Sequence, residues 1–458
     1  MLAFAILVTL QFHYDASEFV NAVYHVSCLT GRLPCSNPVY TKFWTDVMHR
    51  TPRDGAQFNR WSAIFDRAEN AAPNAPRAEL LPNYASFYPS IRVRQNLVST
   101  AMQAGSPERF RKRAEAIVGA ADAAALAEVL AHTVRRLHPW YIDNAPPTRA
   151  RLKLVHARVR ENGTVPLIAG IARFVRADFS ARDVWVHAVP SPAPKQTDAS
   201  ATAVRNHVLI EITDDMKPEA AASIALHELT HALYDSAPQA DHLKLMGQFA
   251  ATKHPTTPAL YGLVNEAIAT GIQLLLYERQ GVDDKDAYRH PYIPRVGRST
   301  MPLLKRAIGQ RATMLDEFVP AYIEAAEKEL KSEIAAPRFQ LLTAGVLASV
   351  KNKTASDSFF ETFRPVGACS SEEELERYDM LSAVRLLTYD EQDPHLNAVP
   401  DLSELSKNRG FAYRLPPAAA KRPTYILAGR DTADLVDVVK EFARISDTRG
   451  EGLLLKLD

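Results

Sequence analysis

The sequence is poor in cysteine and has no excess of charge of either sign. Three cysteines among 458 residues are too few for a disulfide-built scaffold or for a four-cysteine zinc or iron–sulfur site within one chain. Lys and Arg number 54 against 53 Asp and Glu, a formal net charge of +1, whereas proteins that grip phosphate backbones normally have a basic excess. The densest basic run predicts a solvated helix face: Arg109, Arg111, Lys112 and Arg113. We therefore expect no nucleic-acid partner, and any metal must have ligands other than four thiolates.

Long apolar runs are also rare. The uncharged run Leu2–Leu10 is long enough for the core of a signal peptide but too short to span a bilayer. Apolar and polar residues alternate from Val8 to Tyr14, which is the period of a half-buried strand. Residues 1–15 are therefore either a signal remnant or a first strand. No other run is apolar enough for a membrane crossing, so we expect no transmembrane segment.

The cysteines leave two interpretations of the compartment open. Cys28 and Cys35 bracket a short loop that contains a glycine, so they form either a local disulfide or two free thiols. Cys369 is then single and is expected to be a small buried hydrophobic residue. The cysteine pair favours a secreted or periplasmic protein, with a cytoplasmic one as the alternative.

The N-terminal third of the chain is expected to be mainly helical, over residues 16–145. Ser106 and Pro107 form a helix cap and first helical position, and Asp122–Leu137 is rich in alanine. Three prolines in His138–Thr148 predict a break and a new unit. A boundary is therefore expected near residue 145.

The pattern then changes to short β-rich runs. We predict strands at Ile171–Val175, Val184–Val189 and Val204–Ile212, which polar or proline-rich turns separate. Near the C terminus, Thr424–Ala428 and Asp431–Ile445 predict a strand followed by a helix. Short strands among many helices indicate an α+β fold.

The residues with the clearest chemistry lie in a helix predicted over Glu219–Tyr234. Its His227 and His231 are four residues apart, about 40° around the helix and one turn along it, so both imidazoles can bind one cation. Glu228 follows the first histidine and is rotated by about 100°, which suits a base that reaches a metal-held water. Chance produces this pentapeptide rarely.

A catalytic zinc needs a third protein ligand and an open position. The best candidate is Glu266, in a helix predicted over Thr257–Gln280 within the run Asn265–Ala269. Its neighbours are apolar, and a lone carboxylate among them would be costly unless it were paired or bound to a cation.

These two motifs resemble those of the gluzincin metallopeptidases, particularly the thermolysin-like group. The stretch His227–Asp235 resembles that group's active-site helix, and Asn265–Ile268 resembles its glutamate-bearing helix; the resemblance covers about residues 219–280. It implies a zincin-like catalytic domain over residues 146–335, with a small mixed sheet and the two helices. A small helical and α/β accessory region, residues 336–458, is expected to follow.

Carried over by position, the resemblance implies one catalytic Zn²⁺. Its ligands would be His227, His231 and Glu266, and Glu228 would be the general base that activates the zinc-bound water. The substrate would be a protein or peptide. A further donor must stabilise the oxyanion; this family usually takes it from a Tyr or His further along, and His290 and Tyr292 are the candidates.

The sequence departs from the family in one orienting residue. The family's motif usually has Asp four residues after the ligand glutamate, and here that residue is Thr270. Another group, such as Asp235, would then orient a histidine. The predicted strand Val204–Ile212 is the expected sheet edge for an extended substrate, and its His207 is expected to be a packing residue.

Two other functions remain as alternatives. One is a zinc hydrolase that acts on a non-peptide amide or ester through Glu228 in the same role. The other is a non-catalytic zincin-like protein that binds a partner. A structural zinc site normally has four protein ligands and no catalytic carboxylate beside it, which disfavours the second alternative.

Overall fold

Helices dominate the chain, and two small sheets lie among them, in agreement with a mixed α+β composition. The computed structural model describes residues 11–35, 37–160, 164–178, 183–195, 200–280, 290–445 and 452–458. The N-terminal elements are β1 (Gln11–Asp15), α1 (Glu18–Leu29), α2 (Asn37–Asp46), α3 (Pro52–Asn70), α4 (Pro89–Ala104), α5 (Pro107–Val118) and α6 (Ala120–Arg160). The central elements are α7 (Thr164–Phe174), β2 (Asp183–Pro190), β3 (Ala201–Val204), β4 (His207–Ile212), α8 (Pro218–Asp235), α9 (Gln239–Ala251), α10 (Thr257–Gln280), α11 (Ile293–Gln310) and α12 (Phe318–Leu330).

The remaining elements build the C-terminal part. They are α13 (Pro337–Gln340), β5 (Thr343–Ala348), α14 (Lys353–Phe363), β6 (Gly367–Cys369), α15 (Glu372–Leu375), β7 (Ala383–Thr388), α16 (Pro394–Asn397), α17 (Leu402–Leu405), β8 (Gly410–Arg414), β9 (Thr424–Gly429), α18 (Thr432–Phe442) and β10 (Gly452–Leu457). Short 3₁₀ turns occur at Ala85–Phe87, Lys331–Ala335 and Val350–Asn352.

Local signals place the N-terminal helices where the sequence predicts them. The Ser106 hydroxyl caps α5 by accepting a hydrogen bond from the Arg109 amide, which satisfies one of the free N–H groups of the first turn. The basic run on α5 is exposed, as expected for a solvated face. Disulfide-bonded Cys28 and Cys35 close the loop after α1, and Cys369 is a buried free thiol.

The predicted break between His138 and Thr148 does not occur. Helix α6 runs through it for 41 residues and contains Pro139, Pro146 and Pro147. Its buried positions continue at spacings of three and four across the prolines: Leu137, Tyr141, Ala145, Thr148, Leu152, Val155 and Val159. This continuous buried stripe holds both halves of the helix in place, and its packing outweighs the local cost of the missing N–H groups.

The first sheet has four strands in the order β1, β2, β4, β3. Strands β1, β2 and β4 are mutually parallel, and β3 runs antiparallel to β4 at the edge of the sheet. The prediction of a first strand is confirmed for Gln11–Asp15, whereas residues 1–10, which contain the whole signal-like run Leu2–Leu10, lie outside the described residues. Val184–Val189 lies within β2 as predicted.

Two strand predictions are wrong in detail. Ile171–Val175 is not a strand, because Thr164–Phe174 forms α7. The buried residues of this run, Leu167, Ile168, Ile171 and Phe174, follow the period of a helix rather than of a strand. Val204–Ile212 is not one strand either, since the chain turns at Arg205 and Asn206 and returns as β4.

Two apolar cores cover the two faces of this sheet. One core joins Val186 and Ile210 to α8, α10 and the C-terminal half of α6. The other joins Leu209 and Val204 to α1, α4 and the first half of α6. Helix α8 therefore lies on one face of the sheet, and the N-terminal helices lie on the other.

The second sheet has six strands in the order β10, β8, β9, β7, β5, β6. Strands β5, β6, β7 and β9 are parallel, and β8 and β10 are antiparallel additions at one side. Helices α14 and α18 pack together on one face. The predicted strand and helix near the C terminus are confirmed as β9 and α18.

Among the described residues, one helix is long and apolar enough to cross a membrane. It covers Thr257–Glu278 of α10, and 89% of its most apolar stretch is buried inside the protein. Burial of that extent is typical of a central core helix.

Candidate metal centre

Helix α8 brings two imidazoles together. Pro218 lies in its first turn, and the helix packs against the sheet through Leu226, Leu229 and other apolar residues. His227 and His231 project from one side, with their Nε2 atoms 3.0 Å apart. The spacing of four residues thus produces the convergence that the sequence predicts.

Glu266 of α10 completes a three-residue group. Its Oε2 atom lies 3.6 Å from Nε2 of His227 and 3.6 Å from Nε2 of His231, beyond normal hydrogen-bonding distance. Tetrahedral coordination at about 2.0–2.1 Å would separate neighbouring ligand atoms by about 3.3–3.4 Å. The three observed separations lie on either side of that value, so the donor set fits a single tetrahedral cation.

The three-residue group is partly enclosed by the protein. Oε2 of Glu266 is buried, and no donor among the described residues lies within hydrogen-bonding distance of it. The side chains of His231 and Glu266 nevertheless remain 19% and 26% exposed. One carboxylate oxygen is therefore enclosed with the two imidazoles, while the group stays open to solvent on one side.

The pKa shifts show that this carboxylate requires a positive charge beside it. Burial acts to raise the pKa of Glu266, but the two histidines outweigh burial and hold it well below its usual range. Burial acts to lower the pKa of His231, yet the Glu266 carboxylate raises it to about 9. A proton on His231 or a bound cation can supply that charge.

Glu228 lies beside this group without joining it. Its carboxylate accepts a hydrogen bond from the Ala203 amide, and the charges of both histidines and Glu266 act on it. Burial is the main cause that raises its pKa. A carboxylate with a raised pKa, held next to three convergent metal donors, has the position and the proton affinity of a general base.

The residue that orients His231 is Asn265, which sequence reasoning did not assign. Its Oδ1 lies 3.0 Å from Nδ1 of His231, and since an amide oxygen only accepts, Nδ1 carries the hydrogen. Nδ2 of Asn265 donates in turn to the Asn83 carbonyl at 3.3 Å, and Tyr234 donates to the Asn83 side chain at 3.0 Å. Asn265 adjoins the ligand glutamate in sequence, and that adjacency was the available signal.

Asp235 does not take the orienting role expected of it. Its Oδ1 accepts a hydrogen bond from the Ser86 amide at 3.2 Å, so it fixes the segment before α4 instead. Thr270, at the family's aspartate position, is fully buried and packs tightly against Gly297 of α11. That face of α10 is therefore used for helix packing.

The two predicted oxyanion donors have other partners in this arrangement. Nδ1 of His290 accepts from the amides of Tyr292 and Ile293, both at 3.2 Å, and Nε2 donates to the Arg364 carbonyl at 3.1 Å. Burial lowers the pKa of His290, and the opposing effect of Glu266 indicates that its ring is near the site. Tyr292 is 4% exposed and its ring packs against that of Phe339.

The sheet edge beside Glu228 is β3, not the whole run predicted from the sequence. Strand β4 lies between β2 and β3, and its His207 is buried against His187, as a packing residue. In an antiparallel pair the N–H and C=O of one residue point to the same side. Since the Ala203 amide bonds Glu228, the Ala203 carbonyl also faces away from β4.

No family model, curated protein or solved structure matches the chain. What the site can do therefore has to be inferred from its own residues and their geometry.

Proposed function

We propose that the chain is a zinc-dependent metallopeptidase whose central part is a zincin-like catalytic region. The observation that carries this proposal is the convergence of His227, His231 and Glu266 with Glu228 beside them. Two imidazoles and one carboxylate form a ligand set of catalytic zinc, which keeps a further position for water or substrate.

The zinc would be held by Nε2 of both histidines and Oε2 of Glu266. When bound, it would lower the pKa of a water molecule and polarise the carbonyl of the substrate. Asn265 keeps the hydrogen of His231 on Nδ1, so that the Nε2 lone pair points toward the other two donors.

Glu228 would move the proton. Its carboxylate takes a proton from the attacking water as the new C–O bond forms, and then delivers it to the leaving nitrogen as the C–N bond breaks. The Ala203 amide holds this carboxylate in place. The raised pKa of Glu228 favours acceptance of the proton near neutral pH.

Strand β3 favours a peptide over another amide or ester. It is an edge strand whose outward main-chain groups lie next to Glu228, and an extended peptide can add to such an edge through main-chain hydrogen bonds. Main-chain hydrogen bonds of this kind position a scissile bond and do not depend on the side chains of the peptide.

The disulfide supports a second, lesser proposal about the compartment. A bond between Cys28 and Cys35 persists in oxidising surroundings, so we propose that the protein works outside the cytoplasm, in the secreted or periplasmic space.

The test combines metal analysis with activity on unfolded casein and a mixed peptide library. Wild type should bind one zinc per chain and cleave. Glu228→Gln should keep the zinc and lose at least about 100-fold in turnover, and Glu266→Ala should lose the zinc. Glu219→Gln, which removes a carboxylate from the first turn of the same helix, is the matched control and should retain both.

Two results would contradict the proposal. Full zinc affinity in Glu266→Ala would remove Glu266 from the ligand set. Bound zinc without cleavage of any peptide would favour the hydrolysis of a non-peptide amide or ester, or a binding role.

A further inference from the structure

A cavity of ≈ 390 Å³ lies along the outer side of β3. The disulfide-closed loop after α1 forms one wall, α4 forms another, and Thr202, Ala203 and Val204 form the third. Ala203 is also the residue whose amide holds Glu228. The cavity therefore begins where a peptide added to β3 would approach the proposed reacting centre.

The lining of this cavity carries charge of one sign. It contains Arg32 and Arg94 and no acidic residue among the described residues that surround it. The remaining wall is largely apolar, with Leu33, Ile91 and Val98. A ligand that fits this surface has a short apolar stem and a negative group.

Two acidic residues hold the guanidinium groups of Arg94 and Arg32 in fixed orientations. Arg94 donates from Nε and Nη2 to the two oxygens of Glu69, at 2.9 and 2.5 Å. Arg32 donates to Glu69 at 3.1 Å and to Asp66 at 2.6 Å. Neither acidic residue is among the residues that line the cavity.

Arg94 is the arginine with a free edge for a ligand. Its side chain is 31% exposed, against 10% for Arg32. Glu69 occupies the Nε and Nη2 edge of Arg94, so the edge that contains Nη1 is not engaged by Glu69. A guanidinium can bind carboxylates at both edges, and a pre-oriented planar fork recognises a carboxylate better than a flexible ammonium does.

We propose that this cavity is a substrate subsite in which Arg94 selects a carboxylate, an inference that rests on the proposed peptidase function. The carboxylate belongs to a residue of the peptide near the scissile bond, and it is either an acidic side chain or the terminal carboxylate. Arg32 positions Glu69, which also binds Arg94. The apolar wall of the cavity contacts the methylene groups of the bound peptide residue.

The test uses the zinc-loaded protein and fluorogenic peptides that differ only by Glu or Gln at each position in turn. A second set ends in a free carboxylate or an amide. Wild type should prefer the carboxylate member of one pair by about 10- to 100-fold in kcat/KM, the effect of one charge-assisted bidentate contact. Arg94→Gln should abolish the preference by lowering kcat/KM for the carboxylate peptide to the value for its neutral partner.

Two further variants control the interpretation. Arg92→Gln removes an exposed arginine from the same helix outside the cavity lining and should keep the preference. Arg94→Lys keeps the charge but not the fork, so it should retain only part of the preference. Thermal unfolding of each variant confirms that the fold is intact.

The outcomes separate the two proposals. A preference in the Glu/Gln pairs alone identifies a side chain, and a preference in the terminal pair alone identifies the chain end. Cleavage with no carboxylate preference, or a preference that survives Arg94→Gln, would overturn the subsite and leave the peptidase function standing. No cleavage of any peptide would overturn the proposed function and the subsite with it.

Discussion

Replacing Asn265 by alanine should weaken zinc binding although Asn265 is not a proposed ligand. Its Oδ1 accepts the hydrogen of His231 Nδ1 at 3.0 Å, and this contact fixes both the tautomer and the ring orientation. In the alanine variant the ring can rotate, and the hydrogen can move to Nε2, which then cannot bind a metal.

The expected size of the effect follows from that single contact. A partly buried hydrogen bond of this kind contributes about 0.5–1.5 kcal/mol, and loss of a partner that orients a metal-bound histidine typically costs about 10- to 100-fold in affinity. We therefore expect Asn265→Ala to raise the zinc dissociation constant about 10- to 100-fold, which corresponds to about 1.4–2.8 kcal/mol.

The assay is competition for zinc between the metal-free protein and a chromophoric chelator at fixed pH. Asn265→Asp keeps the acceptor and should bind zinc at least as tightly as wild type. Gln273→Ala removes another buried amide from α10, one that bonds Ser223 at 3.4 Å, and should leave the affinity within about twofold. An unchanged dissociation constant in Asn265→Ala would refute the orienting role.

Three other predictions concern stability and thiols. Gly297→Ala places a Cβ 2.5 Å from Cγ2 of Thr270 and should lower the free energy of unfolding by about 1–3 kcal/mol, measured by thermal unfolding. Gly309→Ala, whose Cβ would have no atom within 4 Å, should not lower it. Burial raises the pKa of Glu211 in the folded protein. The protonated carboxyl therefore stabilises the fold fully below the unfolded pKa, and this contribution is lost as pH rises through the folded pKa. The free energy of unfolding of Glu211→Gln should then exceed that of wild type by about 1 kcal/mol at pH 8 but not at pH 4. Thiol titration of the denatured protein should count one group, Cys369, before reduction and three after it.

The elements around the site were predictable because their signals are local. The proline at the start of α8 and the spacing of His227 and His231 depend only on residues one or two turns apart. The predicted range of α10, Thr257–Gln280, is confirmed, and Glu266 was identified because a lone carboxylate among apolar neighbours needs a partner or a cation. What sequence could not supply was the partner of His231, because the choice between Asp235 and Asn265 depends on how α8 and α10 pack.

Failures of prediction have the same origin. The run before Val175 satisfies both strand and helix patterns over a few residues, and only its burial on α7 decides between them. The strand predicted through Ile212 contains a turn that its apolar pattern hides. The proline signal near residue 145 is real as a local cost, but tertiary packing outweighs it.

Helix α6 is shared by two apolar cores. Its first half, up to Leu137, belongs to the core of the N-terminal helices, and its second half, from Leu152 onward, belongs to the core beneath α8 and α10. Separating the chain near residue 145 would therefore divide α6 and remove one of its halves from each fragment. The N-terminal helices and the candidate metal centre should consequently melt in one cooperative transition, and neither is expected to survive as an independently folded fragment.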